Sequence, residues 1–361
     1  MRASNRKVSL TDAIPGSVAI SSLKPLVWSV RQRILRGLAQ DNAQNPAWLR
    51  IDNPGARVGV DIRLSWADTK WPHYRRYGYQ KIGGRYTVLR GEAAAAHTRY
   101  HFEIPHGVSW FGAFPWYSNE DAGRFLAAAS GHPLCQVRCL GQTAQGRDLR
   151  CLTIAPARRG RRKPNIAVLA RTHANESSGS FAVEGIADYL LHASAAREIL
   201  RKYTVHLFPN VNPDGIAAGI KLTRIAPDQY QDFNMAVSGM SSPDLTMLAL
   251  REEIRALRPA CLLDYHSYLS NIPMLGFLDK RVGARLYEAV FDAGDPEGCR
   301  YYVVLWREMY PGTSIVDYCQ KRFNSTIVLP ELPWNFGRLP AEIRTAGLKI
   351  FLGAVHAHAK R

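Results

Sequence analysis

The sequence has no apolar run approaching the roughly 20 residues that a membrane-spanning helix needs, although 46% of its 361 residues are hydrophobic. Its first residues, MRASNRKVSLTDAIPGSVAISSL, include early basic side chains but lack the continuous apolar stretch of a secretory signal. We therefore expect a soluble, cytoplasmic protein with no membrane partner.

Cysteine is scarce and scattered. There are six cysteines, none of them in a CxxC pair, and their spacing is not that of a zinc knuckle. We expect free thiols in a reducing compartment. The six are Cys135, Cys139, Cys151, Cys261, Cys299 and Cys319.

Acidic residues are outnumbered, since 30 Asp and Glu face 47 Lys and Arg and leave a net charge of +17. Basic residues cluster in RRGRRK, residues 158–163, and in HYRRYGYQK, residues 73–81. Such a field attracts polyanions, and an acidic polypeptide is one candidate partner. The sequence contains no recognised nucleic-acid-binding motif, so we predict no nucleic acid partner. An equally good interpretation is a solvated basic surface, and none of these features predicts an oligomeric state.

Two sequence textures meet near residue 155. Segments before it, such as ARVGVDIRLSW and TRYHFEIPHGVSWFGAF, alternate apolar and polar residues between Gly, Pro and Asn breaks, which predicts β-strands. The stretch VWSVRQRILRGLAQ, within the first 45 residues, predicts either a short amphipathic helix or edge strands. The sequence contains no internal repeat and no low-complexity tract.

After the basic segment ARRGRRKP, apolar strands alternate with helical spacings. The helical segments are SGSFAVEGIADYLLHA, SPDLTMLALREEIRAL, VGARLYEAVFDA and AEIRTAGLKIFLGAVHAHA. Ser242 followed by Pro243 is typical of a helix start. The alternation predicts an α/β sheet with helices on both faces. The buried strands are predicted at NIAVLA (165–170), YTVHLFPNV (203–211), ACLLDYH (260–266) and STIVLPEL (325–332).

Four chemically capable residues lie at the ends of three predicted strands. His173 and Glu176 follow NIAVLA, His266 closes ACLLDYH, and Glu331 lies at the end of STIVLPEL. Because functional groups in an α/β sheet gather beyond the carboxyl ends of its strands, we expect these side chains to converge.

Two imidazoles and one carboxylate are a known ligand set for catalytic zinc, and they leave one coordination position open. A second carboxylate outside the ligand set is then needed to take a proton from the activated water, and Glu331 fits that role. The HxxE pair alone is weak evidence, because a chance pair on a surface loop is its ordinary interpretation.

Four sequence blocks in order resemble the zinc metallocarboxypeptidases, in particular their cytosolic subgroup. ARTHANESSGSF, residues 170–181, is similar to the subgroup's ARVHPGETNSSW, and LFPNVNPDG contains the NPDG block. LLDYHSY and STIVLPEL are similar to the blocks with the third metal ligand and the catalytic glutamate. FGAFPWYSNED and LGQTAQGRDLRCLTI resemble the β-sandwich that precedes the catalytic domain in that subgroup.

The resemblance implies a mixed α/β sheet with helices on both faces, preceded by an all-β sandwich. We predict an N-terminal extension of residues 1–45, a β-sandwich domain of residues 46–154 and a zinc carboxypeptidase-like catalytic domain of residues 155–361.

The resemblance also implies site roles. One zinc ion is expected on His173, Glu176 and His266. Glu331 is expected to act as general base and then as proton donor to the leaving amine. An arginine downstream of NPDG stabilises the oxyanion in the family, and the nearest candidate is Arg224 in GIKLTRIAP, about two residues further along than usual. The alternative for Arg224 is an ordinary surface arginine.

By the same resemblance, Asn234 contributes to binding the substrate's terminal carboxylate. Tyr310 is either the phenol that closes over substrate or a packed tyrosine. Met235 replaces the family's arginine beside that asparagine, and a thioether cannot pair with a carboxylate. Either another arginine, such as Arg307 or Arg322, supplies the charge, or the enzyme does not require a free C-terminus.

The predicted function is a zinc-dependent carboxypeptidase that hydrolyses the C-terminal bond of a peptide or protein. The net charge favours an acidic substrate, whereas YPGTSIVDY has Ile315 and Val316 where glutamate-removing members carry a basic residue. One alternative is a zinc-dependent amide hydrolase, or deacylase, that does not need a free C-terminus. Another alternative is a non-catalytic binding protein for acidic partners.

Overall fold

The computed structural model of this protein describes residues 7–33, 45–67, 75–156, 163–226, 229–233, 245–268, 274–277, 302–305, 314–333 and 337–360. Within these residues the strands form two five-stranded sheets, one eight-stranded sheet and a two-stranded hairpin. Five of the predicted free cysteines are described, and all five are free thiols.

Ten strands build the two five-stranded sheets. They are β1 (Ser9–Asp12), β2 (Val18–Lys24), β3 (Val27–Gln32), β4 (Leu49–Asn53), β5 (Val58–Ser65), β6 (Tyr77–Ile82), β7 (Arg85–Arg90), β8 (Glu92–Ala93), β9 (His97–Ile104) and β10 (Gly107–Gly112). One sheet has the order β1-β4-β10-β6-β7 and the other β2-β3-β5-β9-β8. These sheets confirm the predicted β-sandwich.

The sandwich core follows from the alternation that the sequence shows. In β5, Val60, Ile62 and Leu64 are buried, whereas Arg63 between them is exposed. Successive side chains of a strand point to opposite faces, so one face of this strand packs inward and the other meets water. The aromatic residues Tyr79, Tyr100, Phe102 and Phe111 fill the same core.

The eight-stranded sheet is mixed, as predicted. Its strands are β11 (Cys135–Gln142), β12 (Asp148–Ile154), β13 (Asn165–Ala170), β14 (Thr204–Phe208), β17 (Cys261–Tyr268), β18 (Met274–Phe277), β19 (Tyr302–Leu305) and β20 (Thr326–Pro333), in the order β11-β12-β14-β13-β17-β20-β18-β19. The central strands β14, β13, β17 and β20 run parallel, and β12 and β18 flank them antiparallel. The hairpin consists of β15 (Thr223–Ala226) and β16 (Gln229–Gln231).

Helices cover both faces of this sheet, which confirms the predicted fold class. Ile166 and Val168 of β13 belong to one apolar cluster, and Ala167 and Leu169 belong to another on the opposite face. The described helices are α1 (Asn119–Ser130), α2 (Ser178–His192), α3 (Ala196–Lys202), α4 (Pro213–Ala218), α5 (Leu245–Leu257), α6 (Ile315–Phe323) and α7 (Pro340–Ala359). Residues of α1, α2, α3 and α7 belong to the first cluster, and residues of α5 and α6 belong to the second.

Helix α1 lies in a region for which the sequence predicted only strands. Its helix start is nevertheless encoded locally, because Ser118 accepts a hydrogen bond from the backbone N–H of Asp121 and Asp121 accepts one from that of Ser118. This reciprocal pair is a capping box. Ala122, Leu126 and Ala129 are buried at helical spacing, but the segment is short and the strand-like alternation around it dominated the prediction.

The other predicted segments agree with the structure to within a few residues at most ends. The stretch VWSVRQRILRGLAQ contributes β3, and residues 34–44 lie outside the described part of the chain. The predicted helix VGARLYEAVFDA, residues 282–293, and the helix start at Ser242 and Pro243 also lie outside it. Among the described helices, none is both long and apolar enough to cross a membrane.

Strand pairing groups the chain differently from the predicted domain limits. Strands β1–β3, within the predicted extension, pair into the two sandwich sheets. Strands β11 and β12, within the predicted sandwich, join the eight-stranded sheet through β14. Backbone hydrogen bonding decides this membership, and alternation alone cannot reveal a strand's partner. We therefore propose a sandwich of residues 9–112 and an α/β unit from residue 119 onward.

Helices α2 and α7 cross so closely that the contact requires a glycine. A Cβ added at Gly347 would lie 2.3 Å from the Cβ of Ala182. We expect Gly347→Ala to lower the free energy of unfolding by about 1–3 kcal/mol because the helices must separate. Gly123→Ala is the matched control, since a Cβ there meets nothing within 4 Å and should stabilise α1 by up to about 1 kcal/mol. Urea denaturation measures both, and equal stability of Gly347→Ala and wild type would refute the close crossing.

Candidate metal centre

The loop after β13 carries two of the four predicted site residues. The strand ends at Ala170, and His173 and Glu176 follow before α2 begins at Ser178. The backbone N–H of Glu176 donates to the carbonyl of His173 at 3.1 Å, so the loop closes into a tight turn. We call residues 172–177 the metal loop. The turn brings both side chains to the same side of the loop.

The other two predicted residues lie side by side on neighbouring strands. In the parallel pair β17 and β20, His266 is the direct cross-strand partner of Glu331. Both lie two residues before the end of their strand, at the carboxyl edge of the sheet. Strand β13 pairs parallel with β17, so the metal loop emerges at the same edge. The topology therefore brings together segments that are more than 150 residues apart.

Three of these side chains form a tight, buried cluster. His173 Nδ1 lies 2.9 Å from Glu176 Oε1, and His266 Nδ1 lies 3.1 Å from Glu176 Oε2. The two Nδ1 atoms are 3.2 Å apart. One potential ligand atom from each residue lies within 4.8 Å of the others, and each residue is at most 6% exposed. Among the described residues, this is the one group of His, Cys, Asp and Glu with such a geometry.

Each imidazole has one aspartate beside its outer nitrogen, Nε2. Asp232 Oδ2 lies 3.3 Å from His173 Nε2, and Asp264 Oδ2 lies 3.3 Å from His266 Nε2. Asp264 is completely buried, and its Oδ1 accepts a hydrogen bond from Thr172 Oγ1 at 2.8 Å. A carboxylate beside Nε2 favours the proton on that nitrogen and leaves the Nδ1 lone pair free, as in metal-bound histidines. Both imidazoles thus present Nδ1 to the centre of the cluster.

The electrostatic environment of the cluster favours positive charge at the two imidazoles. Burial lowers the pKa of His173, but the charge of Glu176 and the contact with Asp232 outweigh it and leave the pKa raised. The pKa of His266 is likewise raised, because Asp264 and Glu176 overcome the effect of burial. Although burial alone would raise the pKa of Glu176, the two imidazoles hold it well below its usual value.

These properties fit a bound dication. The donor set is two nitrogens and one carboxylate, which is the His₂Glu set of catalytic zinc sites. Three carboxylates surround the imidazoles, and a cation at the cluster centre would compensate their negative charge. Each donor atom also has an outer contact that fixes its orientation, since the backbone N–H of Ser267 donates to Glu176 Oε2 at 2.9 Å. The residues that could hold zinc are therefore His173, Glu176 and His266.

Glu331 is a buried acid beside this cluster and outside the ligand set. It is 9% exposed, and its Oε2 has no hydrogen-bond partner among the described residues. Burial, reinforced by the charge of Glu176, raises the pKa of Glu331 to about 7 against the opposing effect of the imidazoles. Such a carboxyl group can exchange a proton near neutral pH.

Of the other three predicted site residues, Arg224 alone lies in the described part of the chain. Arg224 lies on β15 of the hairpin, opposite Tyr230, with an exposed side chain. Asn234 and Tyr310 lie outside the described residues. Asp232 and Asp264 were not predicted from the sequence. Asp232 stands two residues before Asn234, in a block for which the sequence predicted only a substrate-binding role.

Lys221 is a cationic residue whose charge acts on the cluster. The sequence did not single it out. Its carbonyl accepts a hydrogen bond from the backbone N–H of Ala174 at 3.0 Å, which ties it to the metal loop. Its positive charge acts to lower the pKa of both His173 and Glu331. Lys221 follows the NPDG block by six residues, closer than Arg224.

Comparison with known proteins agrees with this geometry. Residues 126–234 match the family model for peptidase M14, described as zinc carboxypeptidase. The matched stretch, less than a third of the chain, is similar to a zinc carboxypeptidase. The predicted resemblance is thereby confirmed, and the single zinc ion used by this family fits the cluster of His173, Glu176 and His266.

Relatives and solved structures point the same way. Cytosolic carboxypeptidase 2 of Xenopus tropicalis is 26% identical over 245 residues, which are 60% of this chain. The match covers 25% of the relative, so the chain spans only about a quarter of that protein's length. A metallo-carboxypeptidase from Burkholderia cenocepacia superimposes with a TM-score of 0.82 over 98% of this chain and 99% of its own, at 18% identity. A metallo-carboxypeptidase from Pseudomonas aeruginosa gives 0.75 at 17% identity, over 98% and 99% of the two chains. At these identities the two structures establish the fold.

Proposed function

We propose that this protein is a zinc-dependent metallocarboxypeptidase that removes C-terminal residues from a peptide or protein. The observation that carries the proposal is the buried His173, Glu176 and His266 cluster beside Glu331, whose Oε2 has no hydrogen-bond partner among the described residues. The names of the relatives favour the same activity and a cytoplasmic location.

A bound zinc ion would supply a Lewis acid that polarises the scissile carbonyl and lowers the pKa of a water molecule. The chain's own contribution is to hold the donors and move the proton. Asp232 and Asp264 orient the imidazoles, and Glu331 Oε2 accepts a proton from the attacking water and later delivers it to the leaving amine. Its burial beside the ligand set supports this role.

Fewer residues are candidates for anchoring a substrate carboxylate than the sequence suggested. Arg322 lies in the last turn of α6, which ends just before β20 begins at Thr326. Glu331 lies five residues further along that strand, or about 16 Å at 3.3 Å per residue. Arg322 is therefore at the amino edge of the sheet, opposite the site. Arg307 and Asn234 stay as proposals for the anchor, and both lie outside the described residues.

The net charge of +17 supports a preference for acidic substrates through faster encounter. The segment YPGTSIVDY is the other guide to specificity, and its Ile315 and Val316 are buried within the second apolar cluster of the α/β unit. Their burial removes them as direct readers of a substrate side chain. An acidic substrate is therefore the preference that we propose.

A free C-terminus separates a carboxypeptidase from an amide hydrolase. We expect the zinc-loaded protein to release the last residue of a peptide with a free C-terminus and to leave the C-terminally amidated peptide of the same sequence intact. The physical reason is that only the free carboxylate can form an ion pair with an anchoring cation. Products are identified by mass over a peptide library. Equal turnover of both forms would favour the deacylase alternative.

Glu331→Gln tests the proton-transfer role. An amide has nearly the same shape but cannot accept the proton, so we expect kcat to fall by about 10²–10⁴-fold with zinc content unchanged. Glu198→Gln, which changes an exposed acid on α3, is the control and should retain wild-type activity. Unchanged activity in Glu331→Gln, with zinc bound, would remove Glu331 from the mechanism.

Two cations are candidates for stabilising the developing oxyanion. Arg224 is the residue that the family spacing suggests, whereas the charge of Lys221 acts on two site residues. We expect Lys221→Met to lower kcat by about 10²–10³-fold, as loss of an oxyanion donor does, and Arg224→Met to have a smaller effect. Steady-state kinetics of the two variants decide between them, and the reverse order would restore the role to Arg224.

A further inference from the structure

Arg171 is a fully buried cation at the junction between β13 and the metal loop. Its side chain is 0% exposed, and its backbone has a φ of 71°, a conformation that non-glycine residues rarely adopt. Its guanidinium forms no ion pair with any carboxylate in the described part of the chain. Burying a charge in this way is costly unless other groups compensate it. The surroundings of Arg171 therefore require an explanation.

The guanidinium connects the metal loop to the segment that leaves the β-sandwich. Its Nε donates to the carbonyl of Ala174 at 2.7 Å, between the two metal-loop ligands. Its Nη1 donates to the carbonyl of Tyr117 at 2.7 Å. Its Cζ lies 4.7 Å from the ring centroid of Trp116, which is the geometry of a cation–π contact. Two carbonyls and one aromatic face thus replace a carboxylate.

A second contact joins the same two segments. The backbone N–H of Tyr117 donates to Ser177 Oγ at 3.3 Å, at the other end of the metal loop. The loop is therefore tied to residues 116–117 on both sides of Glu176. These hydrogen bonds involve Ala174 and Ser177, which directly follow His173 and Glu176 in the chain.

Residues 116 and 117 are themselves anchored in two different cores. Trp116 belongs to the apolar core of the sandwich, and Tyr117 belongs to that of the α/β unit. Tyr86, on β7 of the sandwich, donates its hydroxyl hydrogen to the carbonyl of Trp116 at 2.7 Å. Trp116 and Tyr117 are at most 3% exposed. A continuous path of contacts therefore runs from a sandwich strand through Trp116 and Arg171 to the metal loop.

We propose that the β-sandwich is a structural part of the metal centre, and that Arg171 is a positioning residue through which Trp116 and Tyr117 hold the metal loop in its binding geometry. This inference rests on the proposed zinc site but not on peptidase activity. A planar guanidinium is suited to the task because it donates in two directions while stacking on a ring. Lysine keeps the charge but cannot reproduce that geometry.

Arg171→Met and Trp116→Leu test the proposal by Zn²⁺ affinity, measured in competition with a chromophoric chelator. We expect affinity to fall by about 10–100-fold in both variants, as it does when residues that orient metal ligands are lost. The visible spectrum of the Co²⁺-loaded protein should change, because the ligand geometry relaxes. In the metal-free protein, amide hydrogen exchange in residues 172–177 should become faster. Arg171→Lys should have an affinity between those of wild type and Arg171→Met.

The sandwich supplies matched controls for lost stability. Arg75 is also a buried arginine, which donates to the carbonyl of Ala95, and Trp28 is a buried core tryptophan. Arg75→Met and Trp28→Leu should lower the melting temperature yet keep wild-type Zn²⁺ affinity and Co²⁺ spectrum. If Arg171→Met does not fold, Arg171→Lys and Trp116→Phe provide the same comparison.

The possible failures are distinguishable. Wild-type protein that binds no zinc would overturn the proposed function. Wild-type protein that binds zinc, with Arg171→Met binding as tightly and giving the same Co²⁺ spectrum, would overturn the positioning role alone. An equal loss of affinity in Arg75→Met would also overturn it, because the effect would then follow from general destabilisation.

Discussion

Buried negative charge at the carboxyl edge of the eight-stranded sheet is the constraint on which the rest of the structure depends. Glu176 and Asp264 are almost or completely removed from water, and an uncompensated buried carboxylate costs several kcal/mol. His173 and His266 lie between these groups, and their raised pKa values reflect the negative potential of the surrounding carboxylates, which favours positive charge here. A dication held by His173, Glu176 and His266 would compensate this buried negative charge.

The fold meets this constraint through strand register. Parallel pairing of β13, β17 and β20 places the metal loop, His266 and Glu331 at one edge, and a shift of one residue in β17 or β20 would turn its side chain to the opposite face. The start of α2 is fixed to the end of β20 because Ser178 Oγ donates to the carbonyl of Pro333 at 2.8 Å. The site is thus assembled by elements whose apolar faces are buried independently of any metal.

Strand ends were predictable because buried parallel strands are continuous apolar runs, so the polar residues that follow them stand out, as His173 does after β13. Helix α1 was not predicted because it is a short segment next to strand-like alternation, although its capping residue Ser118 was readable. Asp264 and Arg171 were beyond prediction for a different reason. Each acts through a partner on another segment, Thr172 or Tyr117, and only strand pairing and domain contact bring those partners close.

The proposed metal centre requires one ion held by three residues from two segments. Its most direct test is the number of zinc ions that remain bound per chain after dialysis, measured by elemental analysis for wild type and for His266→Ala. We predict one ion per wild-type chain and almost none in His266→Ala, with the fold of the variant retained. A wild-type chain without zinc, or a His266→Ala chain that keeps its ion, would contradict the account.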